Sequence, residues 1–158
     1  MANVRDITTM CKEGQVQEAY DLAKADLAAI PTDVWKQRAV GWALYYMIKA
    51  DSEVGDYAKL LEHIDELKSL DQLTIANDSM IFDNVQFQIA NFIKNHIFLT
   101  DIEASSKLST LFSKLKDYEF KSSKGHSFLL QTSLKFENWS EMPNFFDWWN
   151  LDNLTTED

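Results

Sequence analysis

Apolar residues return every three or four positions along most of this chain, and almost nothing interrupts them: of 158 residues only four are Gly and two are Pro. A β-sandwich or barrel needs a turn about every 8–12 residues, which so little punctuation cannot supply. Long amphipathic helices remain, and the expected class is all-α. The chain is 46% hydrophobic and 25% charged, enough apolar surface to repay the entropy of folding without a metal or a disulfide.

The periodicity divides into segments. Val4, Ile7 and Cys11 mark a short first helix that meets Gly14, a residue suited to a left-handed cap. Over 15–30 the apolar series is Val16, Ala19, Tyr20, Ala23, Leu27 and Ile30, closed by Pro31, which drives its predecessor out of the helical region. Thr32 or Asp33 can cap a third helix over 34–49, with Asp51-Ser52 expected to end it and cap the next. The fourth carries Tyr57, Leu60, Leu61, Ile64 and Leu67 on one side and Glu62, Asp65, Glu66 and Lys68 on the other. After a loop at 70–77 comes a fifth over 78–97, whose apolar residues Ile81, Phe82, Val85, Ile89, Phe92, Ile93 and Ile97 imply contacts on more than one face. Thr100-Asp101-Ile102-Glu103 reads as a capping box opening a sixth, with Leu108, Leu111, Phe112 and Leu115 inward. Beyond a polar break at 121–125, Phe128, Leu130 and Leu134 indicate a seventh helix, and Pro143 a short last one. The expected total is seven to eight helices, stacked as antiparallel hairpins.

Helix pairs of this size cannot bury their own apolar faces, so a repeat is the natural solution. Glu13-Gly14 before Glu18-Ala19, then Ala23, Leu27 and Pro31, resembles the second half of a tetratricopeptide repeat. Gly41 within the third helix and Gly55-Asp56-Tyr57 after it indicate a second copy. The turn glycines at 14 and 55 stand 41 positions apart, against the 34 of the regular repeat, so the resemblance is to a TPR-like rather than a regular array. It implies a single helical domain over 1–158: the best match at 1–70, degenerate hairpins over 71–136, and an acidic, aromatic segment over 137–158. Lys12-Glu13-Gly14 to Trp35, together with Phe145-Phe146-Asp147-Trp148-Trp149-Asn150-Leu151, also resembles the helical region of larger bacterial multidomain proteins of genome-conflict operons. That resemblance implies an adaptor within a larger protein or complex.

The chemistry-bearing residues are sparse. Cys11 is the only cysteine, so no internal disulfide can form and nothing argues for an oxidising compartment. No signal-like or spanning apolar run occurs, and the cytoplasm is the expected location. His63, His96 and His126 lie on separate segments without metal-ligand spacing, and phosphate loops, dinucleotide turns and nucleophile elbows are missing from the sequence. A catalytic role, a metal and a cofactor are therefore not expected. A formal charge of −10 repels nucleic acid.

The remaining candidate is a stripe on the third helix. In the tetratricopeptide family the first helix of each pair lines a concave groove. Aligning Gly41 with the family's mid-helix glycine places Trp35, Arg38, Trp42, Tyr45 and Lys49 toward such a groove. Aromatic residues and Arg dominate interface energetics, so the stripe is expected to bind an acidic or C-terminal peptide segment of a partner protein, unless its aromatics are simply core. The expected function is a non-catalytic scaffold. The acidic surface leaves open an alternative, a DNA-mimicking inhibitor of a nucleic-acid enzyme. Finally, Trp139, Phe145, Phe146, Trp148, Trp149 and Leu151, crowded among Glu137, Glu141, Asp147 and Asp152, form either a cap on the last hairpin or a linear docking motif.

Overall fold

A computed structural model describes residues 3–70, 79–98, 100 and 102–115. All regular structure among them is α-helical. Six helices run in the order α1 (Val4–Lys12), α2 (Val16–Ala29), α3 (Val34–Val54), α4 (Tyr57–Lys68), α5 (Ser79–His96) and α6 (Ala104–Leu115). The expected seventh and eighth helices and the aromatic segment at 137–158 lie outside the described residues. By its backbone contacts the chain divides into two compact units, Met1–Ile81 and Phe82–Asp158.

In the first unit each helix begins and ends for a local reason. Asn3 and Asp6 form a reciprocal capping box at the start of α1, Asn3 Oδ1 accepting from Asp6 N–H at 2.9 Å and Asp6 Oδ2 from Asn3 N–H at 3.1 Å. The helix stops at Gly14, whose φ of 90° an L side chain rarely adopts. Gln15 N–H then reaches back to the Met10 carbonyl at 2.9 Å and Gly14 N–H to Cys11 at 3.1 Å, the paired bonds of a Schellman turn. Of the two possible caps of α3, Asp33 serves: its carboxylate accepts from Trp35 N–H at 2.9 Å and Lys36 N–H at 3.1 Å.

Two boundaries differ from expectation. Asp51-Ser52 does not end α3; both residues are buried within its last turn. The helix runs on to Val54 and ends at Gly55, which leaves it through a positive φ of 80°. The cap of α4 is Asp56, accepting from Lys59 N–H at 3.1 Å. The second difference is at Thr100–Glu103, where the helix does not yet begin. Glu103 stands just before the helix, its carbonyl accepting from Lys107 N–H at 2.9 Å, so it holds the cap position instead of the third helical one. Burial of Ala104 and Leu108 sets the start of α6 there, and the Glu103 carboxylate lies 3.8 Å from Lys107 Nζ.

The centre of the first unit is α3, which packs against α1, α2 and α4, while α1 also packs against α2. Val40, Leu44 and Ile48 of α3 are fully enclosed, as are Ile7 of α1 and Leu60 of α4. The buried residues of α2 are Ala19 and Ala23, small enough to let its backbone come close to α3. Each Leu or Ile of this set is worth about 1.5–3 kcal/mol on burial.

In the second unit α5 is enclosed on more than one face: Val85, Ile89, Phe92 and Ile93 are buried, and so are Asp83, Gln86 and Gln88. The Gln86 side-chain amide makes no hydrogen bond through either its nitrogen or its oxygen. Leu108 and Leu111 form the buried side of α6.

Candidate functional site

The five stripe residues of α3 fall on one side of it. At 100° per residue, positions 35, 38, 42, 45 and 49 span an arc of about 80°, opposite the arc that holds Val40, Leu44, Met47, Ile48 and Asp51. None of the five is buried. Trp35 is 67% exposed, a large value for an indole, and Arg38, Trp42, Tyr45 and Lys49 are half-buried. The aromatics of this face are therefore not the enclosed core of the unit. Tyr46 lies at its edge, also half-buried.

The side chains organise one another. The Arg38 guanidinium carbon lies 4.7 Å from the centroid of the Trp35 ring, a cation–π stack. One turn on, Trp42 and Tyr45 meet edge to face, with centroids 5.7 Å apart and planes at 88°. Tyr45 and Tyr46 do likewise at 5.0 Å and 67°. Edge-to-face pairing restricts both rings, so the face offers preset aromatic surface bracketed by Arg38 and Lys49.

A second cluster joins α2, α3 and α4. His63 Nδ1 and Asp51 Oδ2 are 2.5 Å apart, the Asp51 side chain nearly enclosed. That hydrogen bond is the main influence raising the His63 pKa above its ordinary value; burial opposes it, and the charges of Asp51, Glu62 and Glu66 add to it. One turn along α4, Glu66 Oε1 accepts from the Tyr20 hydroxyl at 2.5 Å and from Lys24 Nζ at 2.9 Å. Burial works to raise the Glu66 carboxyl, but these two bonds together with the charges of Lys24 and His63 outweigh it and hold the group below the usual carboxylate range. Tyr20 is pushed up, by burial first and by its bond to Glu66 second. Asp51 is the one hydrogen-bonding partner of His63 among the described residues. The pair thus ties α3 to α4.

Comparison of the chain with family models, with curated proteins and with solved structures finds no match. The functional reading therefore rests on these residues alone. No described helix is long and apolar enough to cross a membrane.

Sequence reasoning placed the stripe and missed the polar cluster. A signal for it existed. Asp51 falls at i+3 from Ile48 and i+7 from Leu44, and His63 at i+3 from Leu60, so each interrupts the apolar side of its helix. A charged residue on such a side requires a partner, and an acid and a His across one short turn are that partner for each other.

Proposed function

We propose that this chain is a non-catalytic interaction module, a scaffold whose α3 face, Trp35, Arg38, Trp42, Tyr45 and Lys49, binds a segment of a partner protein. The observation that carries the reading is the exposed Trp35 indole with Arg38 stacked upon it. Leaving an indole in water forfeits one of the largest burial gains available to a side chain, and Trp and Arg are the residues most enriched where binding energy concentrates.

The TPR-like arrangement is part of the same proposal. Supporting it are two helix pairs that turn on positive-φ glycines, and an α3 that touches both helices of the preceding pair. In such an array α1 and α3 would be the groove-lining helices, and the array would extend to seven or eight helices as one domain of a larger complex.

The test is affinity capture from the native cell by the wild-type protein and by Trp35→Ala and Arg38→Ala, compared by mass spectrometry. Trp35 is exposed and Arg38 half-buried, and melting curves of both variants check that any lost capture is not lost folding. A partner retained by the wild type and lost by both variants is the expected result. Identical captures by all three would reject the face. A nucleic-acid enzyme held equally by all three, and released by salt, would favour the acidic inhibitor instead.

A further inference from the structure

We propose that Tyr20, Lys24, Asp51, His63 and Glu66 act together as a proton-controlled latch, which fastens α4 to α2 and α3 while His63 is protonated and lets α4 open from the other helices as the proton is lost. The latch stands apart from the proposed partner face, since Asp51 lies on the opposite arc of α3.

Packing makes α4 the helix that such a device would control. Among the first four helices, α1, α2 and α3 each pack on the other two, whereas α4 packs chiefly on α3. Its tie to α2 is made by side chains: Glu66 Oε1 accepts from both the Tyr20 hydroxyl and Lys24 Nζ, which stand one turn apart on α2. Its polar tie to α3 is the bond between His63 and Asp51. Positions 63 and 66 are i and i+3 on α4, so both ties leave from neighbouring points of one face. Leu60, Ile64 and Leu67 remain buried beside them. The latch therefore adjusts an attachment that apolar packing provides.

The charges explain why a proton should control it. From α3, Asp51 faces the His63 ring; on α4 itself Glu62 and Glu66 flank it; α2 brings Lys24 and the Tyr20 hydroxyl to Glu66, with Asp21 beside Tyr20. When His63 is protonated, two cations, His63 and Lys24, answer the two carboxylates of Asp51 and Glu66, with the exposed Glu62 at the margin. When it is neutral, Lys24 is the one cation left in this group, and the nearly enclosed Asp51 loses its counter-charge. The hydrogen bond to Asp51, helped by the charges of Asp51, Glu62 and Glu66, outweighs burial and raises the His63 pKa above 6.5. The fastening is thus complete below that value and fades as pH rises through the folded pKa.

The experiment is amide hydrogen exchange followed by NMR on the full chain, at several pH values above 6.5 and corrected for the intrinsic exchange rate. Between pH 6.5 and about 8.5 the protection of α4 amides should fall about three- to tenfold, while that of the Val40 and Leu44 amides in the centre of α3 changes less than about twofold. His63→Gln should flatten the α4 profile and identifies the His63 imidazole signal by its loss. The midpoint of that signal in the wild type should lie above 6.5. It should move down in Asp51→Asn and in Glu66→Gln, and up in Lys24→Met, a coupling that packing alone would not produce. Equal loss of protection at α4 and at Val40 and Leu44 would mean that the pair serves only global stability, and the latch falls. No loss at either place, or a His63 midpoint indifferent to Glu66→Gln, overturns it as well.

Discussion

Between α1 and α2 the chain turns on Gly14, and between α3 and α4 on Gly55. Both glycines take positive φ, and after each the next residue reaches back five positions, Gln15 to the Met10 carbonyl at 2.9 Å and Asp56 to the Asp51 carbonyl at 3.0 Å. Beyond the backbone the two hairpins part. Gln15 opens α2 without a side-chain hydrogen bond, whereas Asp56 caps α4 with its carboxylate. Nothing in the first turn corresponds to Asp51, whose carbonyl anchors the second turn while its carboxylate holds His63. One backbone solution suffices to reverse a helix, and side-chain ties then decide how firmly, and at what pH, the reversal holds.

The largest break in this comparison should come from Asp51. Replacing it by Ala removes a hydrogen bond between oppositely charged groups near the core, and should lower unfolding free energy by about 1.5–3 kcal/mol in urea titration. Asp51→Asn keeps an acceptor for His63 and should lose less. The pair also predicts a pH dependence. The folded His63 pKa lies above its ordinary 6.5, so its contribution is complete below that value and fades as pH rises through the folded pKa. Wild-type stability should therefore fall, as pH rises above 6.5, more steeply than that of Asp51→Asn. Coincident slopes would remove the pair from the account.

Next in size are the glycines. A Cβ added at Gly14 would meet no atom within 4 Å, so Gly14→Ala isolates the conformational penalty, about 1–2 kcal/mol. Gly55→Ala carries the same backbone penalty. A neutral Gly14→Ala would mean that the first turn relaxes where the second cannot, sharpening the contrast. The smallest effects concern the caps: Asp56→Ala should cost about 1 kcal/mol, and Gln15→Asp should gain about 0.5–1 kcal/mol by giving α2 the cap that α4 already has. Melting curves of the two variants decide this, and a destabilising Gln15→Asp would show that the first turn has no room for a side-chain cap.

The elements that could be read ahead of the structure were those set by local rules. Gly14, Pro31 and Asp33 each act through their own backbone or nearest neighbours, and α1, α2 and the start of α3 fall close to where those residues place them. Asp51 was misread because as a type it favours caps, while its neighbours Leu44 and Ile48 had already committed that side of the helix to the interior. Thr100 to Glu103 fits a local hydrogen-bonding signature, yet the packing of Ala104 and Leu108 decides where α6 starts. Gln86 gave no warning either: period and apolar content put α5 inside, and a buried amide without partners breaks the pattern without changing it. The stripe was legible because helical spacing alone fixes an arc. Its exposure was not, since spacing cannot say which arc the rest of the chain leaves uncovered.

In α3 the inward and outward residues alternate along a single backbone of 21 residues. Substitution at 35, the exposed end of the stripe, alters what the helix shows with little effect on what it packs, and substitution at 40, 44 or 48 does the reverse. A lineage carrying this fold could therefore exchange one partner for another by drift at a few outward positions, while purifying selection on the inward ones kept the hairpins assembled. On the proposed reading, recognition and architecture would share a helix, and they could evolve at different speeds.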